Sequence, residues 1–173
     1  MITSLAVRFF QLVFGAVVLG LSITAIEWQY FGSAPATTTY CAFAGAFGML
    51  TALIGTAAIF VEAVPDLIMA IVDALASVLF LAGGIAFAIG LRGVSCGDVN
   101  ETYKSYLLNG GCKGKGDNLQ CGIDIHPYAL PGRCKMVEAD SAFLFLGFLV
   151  SVAAAVLCYL ASKRGGGARR SAV

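Results

Sequence analysis

The chain has 173 residues, 59% hydrophobic and 12% charged, about half the roughly 25% charge of soluble domains. That excludes a soluble globular domain, and 11 basic against 10 acidic residues excludes nucleic acid as a partner. A single histidine, His126, leaves little for acid–base or metal chemistry, so no metal and no cofactor are expected.

The apolar residues gather into four blocks, each near the roughly 20 residues that cross a bilayer. The first span is expected over residues 9–26, with Arg8 flanking its start. A cleavable signal peptide ending at Ile23-Thr24-Ala25 is the weaker alternative, because position 23 prefers a small residue and the run is long for a signal core. The block closes on Glu27-Trp28-Gln29-Tyr30, where Trp and Tyr suit the headgroup level. The short loop that follows, Gly32 to Thr39, holds no lysine or arginine.

The second span, 40–61, carries Ala44 with Gly48 and Thr51 with Gly55. Small residues at that spacing let helix backbones approach closely, although in a chain with 21 glycines they also arise from composition alone. A tight turn leads to Pro65, placed as an early residue of the next helix, where its missing N–H costs nothing.

The third span, 66–91, contains the apolar run Leu67 to Leu91, about 37 Å long as a helix, so it tilts or projects beyond the hydrocarbon. Gly83-Gly84 inside it favours a close neighbour or a slight bend. Asp73 lies about 10 Å along the axis from residue 66, where a carboxylate costs a few kcal/mol unless protonated or paired. Its expected partner is Arg8, with Gln11 and Thr56 as further polar candidates and Ser77 on the same face one turn on. The functional alternatives for Asp73 are a lipid-headgroup or ion contact and a proton-sensitive switch.

The fourth span, 141–161, is entered through Glu138-Ala139-Asp140, read as carboxylates at the positive end of a helix dipole. Gly147, Ser151 and Ala155 repeat at spacing four as a packing face, within the bundle or between copies. Cys41 reads as a core thiol, and Cys158 as a core thiol or an acylation site. The tail, 163–173, is basic through Lys163, Arg164, Arg169 and Arg170, glycine-rich and expected to be disordered. It suits anionic lipids at about 1 kcal/mol per basic residue near the surface.

The only long polar segment is the loop 92–138, with Cys96, Cys112, Cys121 and Cys134. An even number of cysteines there points to two disulfides in an oxidising compartment, with three pairings open. A zinc site on these thiolates and His126 lacks the usual Cys-x-x-Cys spacing. Asn100-Glu101-Thr102 is a glycosylation sequon close to the membrane. The basic tail, Arg8 and the uncharged first loop place both termini in the cytoplasm and the cysteine loop outside.

The order of these elements resembles a MARVEL-domain protein, and more specifically the fungal non-classical export protein family associated with eisosomes. The matching residues are Tyr40-Cys41-Ala42-Phe43-Ala44, an Asp early in the third span, Arg92-Gly93-Val94-Ser95-Cys96, and Arg133-Cys134 followed by Ala142-Phe143-Leu144. Cys112 and Cys121 look like an insertion between the family's two loop cysteines, which implies the nested pairing Cys96–Cys134 and Cys112–Cys121. The fold class expected is all-α, a transmembrane four-helix bundle over residues 1–162 with a disulfide-tied external loop.

The resemblance implies a plasma-membrane organiser or scaffold that responds to sphingolipid or sterol, takes part in curvature or unconventional export, and acts with other membrane-domain proteins. A homo-oligomer fits the small-residue faces. The sequence holds no metalloprotease, nucleophile-elbow or phosphate-loop motif, so no enzyme is expected. The alternative is an oligomeric channel or transporter that uses Asp73.

Overall fold

The structure, a computed structural model, describes residues 2–60, 65–114, 118–125 and 130–170. The side chains at 99, 100, 125, 130 and 164–170 lie outside that description. So do His126 and the side chains of Asn100, Arg164, Arg169 and Arg170 on which expectations were placed. Four long helices, α1 (Ile2–Glu27), α2 (Ala36–Phe60), α3 (Asp66–Gly90) and α5 (Leu130–Arg170), are each long and apolar enough to cross a membrane. They form a bundle in which α1 packs on α2, α2 on α3, α3 on α5 and α5 on α1. The pairs α1/α3 and α2/α5 therefore face each other across the centre.

The helices are polar or small inward and greasy outward, the reverse of a soluble bundle. On α1 the buried residues are Arg8, Gln11, Gly15, Val18, Ser22 and Ala25, alternately three and four apart, which is one stripe of a helix. Phe9, Phe10 and Ile23 face out. On α2 the buried stripe is Thr38, Cys41, Ala44, Gly45, Gly48, Thr51, Ala52 and Gly55. In lipid there is no hydrophobic gain from burying leucine, so close packing of small residues takes over.

Two contacts set the helix spacing. A Cβ on Gly45 would lie 2.7 Å from the backbone nitrogen of Leu19 and 3.0 Å from the carbonyl of Gly15. The α1 and α2 backbones thus touch at Gly15 and Gly45, one position away from the expected Ala44. Phe80 of α3, fully buried, lays its ring against Gly48 on one side and Gly147 on the other. The pair Gly83-Gly84 meets Cys41, Leu144 and the ring of Phe145.

Four boundaries differ from expectation. The first helix starts at Ile2 and not near residue 9, so Arg8 is inside it rather than flanking it. The second helix starts at Ala36, four residues before position 40. The last starts at Leu130, eleven residues before position 141, and the loop ends correspondingly early. Pro131 suits a first helical turn, and the disulfide at Cys134 holds these turns against the bundle. Glu138-Ala139-Asp140 is therefore mid-helix, where no free N–H groups or dipole end await carboxylates; Glu138 is exposed and Asp140 buried. At the other end α5 continues to Arg170, so residues 163–170 are helical and not a disordered extension. Lengthening an existing helix avoids the nucleation cost that a separate segment would meet.

A small cap covers the end of the bundle away from the termini. It holds α4 (Val99–Lys104), a hairpin of β1 (Cys112–Lys113) and β2 (Gln120–Cys121), and a 3-10 turn at Gly122–Ile125. Disulfides join Cys96 to Cys134 and Cys112 to Cys121. The first ties the loop's start to α5, and the second closes the hairpin, whose ladder pairs the same two cysteines. Leu107 and Leu108 are buried with Phe87, Val137 and Cys134, so the cap plugs the bundle's end with apolar side chains.

The cap is also bonded to the first loop. Tyr30 and Phe31 donate backbone N–H bonds to the carbonyl of Gly110, at 2.9 and 3.2 Å. Gly110 and Gly111 have φ of 71° and 78°, and a Cβ on Gly111 would collide with the carbonyl of Phe31. Arg133 lies 5.1 Å over the ring of Trp28, which turns an interfacial tryptophan into a fastening point for α5.

Replacing both members of each disulfide by serine tests this division of labour. With 38 and 9 positions bridged, the chain-entropy model gives about 4 kcal/mol for the outer bridge and about 2.5 for the inner. Thermal unfolding in detergent should rank the variants in that order, the outer pair losing more.

Candidate functional site

Nothing on α1 or α3 alone would tolerate a charge two turns inside a membrane. The two charges meet across the bundle. Arg8 is 3% exposed and Asp73 0%, and the guanidinium forks onto the carboxylate with Nη1 2.6 Å from Oδ1 and Nη2 2.7 Å from Oδ2. The planar guanidinium matches both carboxylate oxygens at once, which a lysine could not do.

The other helices complete the site. Gln11, one turn on from Arg8, accepts from Arg8 Nη1 at 2.9 Å and donates from Nε2 to Asp73 Oδ1 at 3.1 Å. The same amide nitrogen is 3.3 Å from Ser151 Oγ on α5 and 3.4 Å from Thr51 Oγ1 on α2. Arg8 Nη2 also donates to Cys158 Sγ at 3.2 Å. Every long helix thus contributes a polar side chain to one node. Gly55 leaves the room: a Cβ there would collide with Arg8 Cζ. A buried charge without a partner would cost several kcal/mol, so each member of the pair depends on the other.

A second polar layer lies nearer the cap. Asp140, 1% exposed, accepts from Ser22 Oγ at 2.7 Å, while its Oδ1 has no hydrogen-bond partner among the described residues. Ser141 donates to the carbonyl of Gly84 at 3.3 Å. Ser22 is about 21 Å along α1 from Arg8. Between the layers sit Val18, Phe80 and Leu144, all 0% exposed, and among the described residues no side-chain hydrogen bond joins the Arg8 node to Ser22 or Asp140. Asp73 consequently faces a closed interior and not the outer surface of the bundle.

The remaining candidate residues fall as follows. Ala44, Gly48, Gly147 and Ser151 are buried inside the bundle and Ala155 is half-buried at its edge. Thr56 returns its hydroxyl to the carbonyl of Ala52, and Ser77 to that of Ala74, so neither joins the node. Cys41 is fully buried, and Cys158 half-buried against Arg8. Asn100 lies in α4. Lys163 is exposed and 4.9 Å over the ring of Tyr159. Among the described residues no group of three or more His, Cys, Asp and Glu side chains is placed to hold a metal ion.

Sequence reasoning did not foresee Ser22 with Asp140, Gln11 with Ser151, or the Gly15–Gly45 contact. The signal was present in the first span: positions 8, 11, 15, 18, 22 and 25 form one helical stripe carrying its only Arg, Gln and buried Ser.

Comparison with protein families matches the MARVEL membrane-associating domain over residues 2–157. Neither the curated proteins nor the solved structures contain a match to this chain.

The node makes a directional prediction. Asp73→Ala should cost about 3–5 kcal/mol, because it strands Arg8, whereas Arg8→Met with Asp73→Leu should cost far less. Thermal stability of the two variants beside the unsubstituted protein in one detergent measures both, and equal losses for single and double variants would contradict the pairing.

Proposed function

The chain belongs to the MARVEL family of membrane-associating domains, and from that premise we propose that it is a membrane-domain organiser: a scaffold whose partners are lipids and other membrane proteins. The observation that carries this reading is the closure of the interior. The charges are spent on one another, an apolar layer separates the polar layers, and the large outward side chains are apolar. Chemistry available to partners is therefore on the outer faces, the cap, the tail and the end of the bundle that carries the termini, and not along the bundle's axis.

The finer reading follows the resemblance to the fungal export family associated with eisosomes. It puts the chain in the plasma membrane, responsive to sphingolipid or sterol, and contributing to curvature or unconventional export. Orientation rests on the basic tail and the uncharged first loop, which favour cytoplasmic termini; Arg8, being buried and paired, no longer counts toward it. The cysteine cap would then lie outside, in keeping with disulfides. Glycosylation at Asn100 and acylation at Cys158 remain part of this proposal. Self-association would use faces other than the Gly147 and Ser151 stripe, which is occupied within the bundle.

The second reading, an oligomeric channel built on Asp73, needs that carboxylate on a shared axis. Its position inside one protomer, bonded to Arg8, weighs against it. In reconstituted vesicles the organiser is expected to pass no ion current, and in fungal cells the tagged chain should form patches that disperse on sphingolipid depletion. Current abolished by Asp73→Asn, or uniform distribution, would reverse this choice.

The tail gives a separate test. Deleting residues 163–173 should weaken binding of the reconstituted protein to anionic vesicles and flatten its salt dependence, by about 1 kcal/mol per basic residue near the surface. Unchanged binding would remove the tail from the account.

A further inference from the structure

At the end of the bundle that carries the termini, the four long helices enclose an open cleft of about 610 Å³. That lies within the roughly 300–1,000 Å³ of sites that take small molecules. Its floor is Arg8 with Cys158, its walls include Ile59, Met69 and Leu157, and Thr3, Ser4 and Asp66 line it toward the helix ends. On α1 the lining runs from Thr3 to Arg8, five residues, so the cleft reaches about 7.5 Å along the helix axis. In a membrane that depth runs from the headgroups to the first methylenes of one leaflet.

The charge of the cleft narrows what fits. Among the described residues Arg8 is the one basic residue lining the cleft, and that charge is balanced by Asp73. Asp66 adds a negative charge. The described lining therefore leaves no positive charge over to attract a phosphate or carboxylate. The guanidinium nevertheless keeps a donor. Nη1 bonds Gln11 and Asp73, and Nη2 bonds Asp73 and Cys158, which leaves Nε without a hydrogen bond among the described residues. Nε lies against Gly55, another lining residue, which has no side chain to cover it. A neutralised N–H donor suits an uncharged oxygen acceptor, an ester or amide carbonyl or a hydroxyl. Thr3 and Ser4 offer hydroxyls toward the opening, and the apolar walls suit hydrocarbon.

We propose that this cleft is a binding site for an uncharged, oxygen-bearing membrane amphiphile. The site rests on the membrane-embedded bundle and does not require that the chain organise membrane domains.

The test uses the full chain in nanodiscs with three photoactivatable probes: a diazirine diacylglycerol, a diazirine phosphatidylserine and a diazirine alkane. Mass spectrometry should place diacylglycerol adducts on the first two turns of α1 and on residues 157–161. Ala58→Phe, which fills the cleft from α2, should lower that labelling about tenfold by exclusion, with the melting temperature checked alongside. If that variant does not fold, Ala161→Phe fills the cleft from α5, at an exposed position.

Labelling indifferent to the filling variants, or equally strong with the alkane or with phosphatidylserine, would overturn the site. Patch formation in cells is read independently. Lost labelling with intact patches counts against the cleft alone, and cleft labelling with a uniform distribution counts against the organiser alone.

Discussion

The fork between Arg8 and Asp73 is the constraint on which the bundle depends. Each charge would be expensive in lipid by itself, and neither helix can shed its own except by meeting the other. The pair joins α1 to α3, helices that are diagonal across the bundle, so it closes only when all four helices are assembled around it. Gln11 then spreads the contact to α2 and α5 through Thr51 and Ser151. A membrane bundle lacks the hydrophobic drive that holds a soluble core, and a central ionic node supplies a specific arrangement in its place.

The rest of the interior holds this node in register and closes it off on the side of the cap. Phe80 can reach between α2 and α5 only because Gly48 and Gly147 present no side chains there. Its ring, with Val18 and Leu144, separates the Arg8 layer from the Ser22–Asp140 layer. The interior therefore alternates polar, apolar and polar along its axis, which suits a rigid support better than a conduit.

The cap fixes the other end. The Cys96–Cys134 bridge, the stacking of Arg133 on Trp28 and the bonds from Tyr30 and Phe31 to Gly110 tie it to α1 and α5. Gly110 and Gly111 have the positive φ and the clearance that this backbone-to-backbone contact requires. A loop that would otherwise be free is thereby made part of the bundle.

By itself the sequence determined the four spans, the class of protein and the cysteine-rich segment, because hydropathy and composition are local sums that need no partner to be read. It also nominated Arg8 for Asp73, since a charge in lipid demands an opposite one and few were on offer. It could not place the end of the loop, because Arg133, Lys135, Glu138 and Asp140 interrupt any apolar run between Leu130 and Asp140, while the helix there is joined to the rest of the structure by the bridge at Cys134. Nor could it choose between Ala44 and Gly45, or assign Asp140 to Ser22, because those depend on how far each helix is rotated about its axis. Rotation is set by contacts between helices, which the tertiary structure alone decides: Gly15 against Gly45, Phe80 between two glycines, and one guanidinium reaching across the centre.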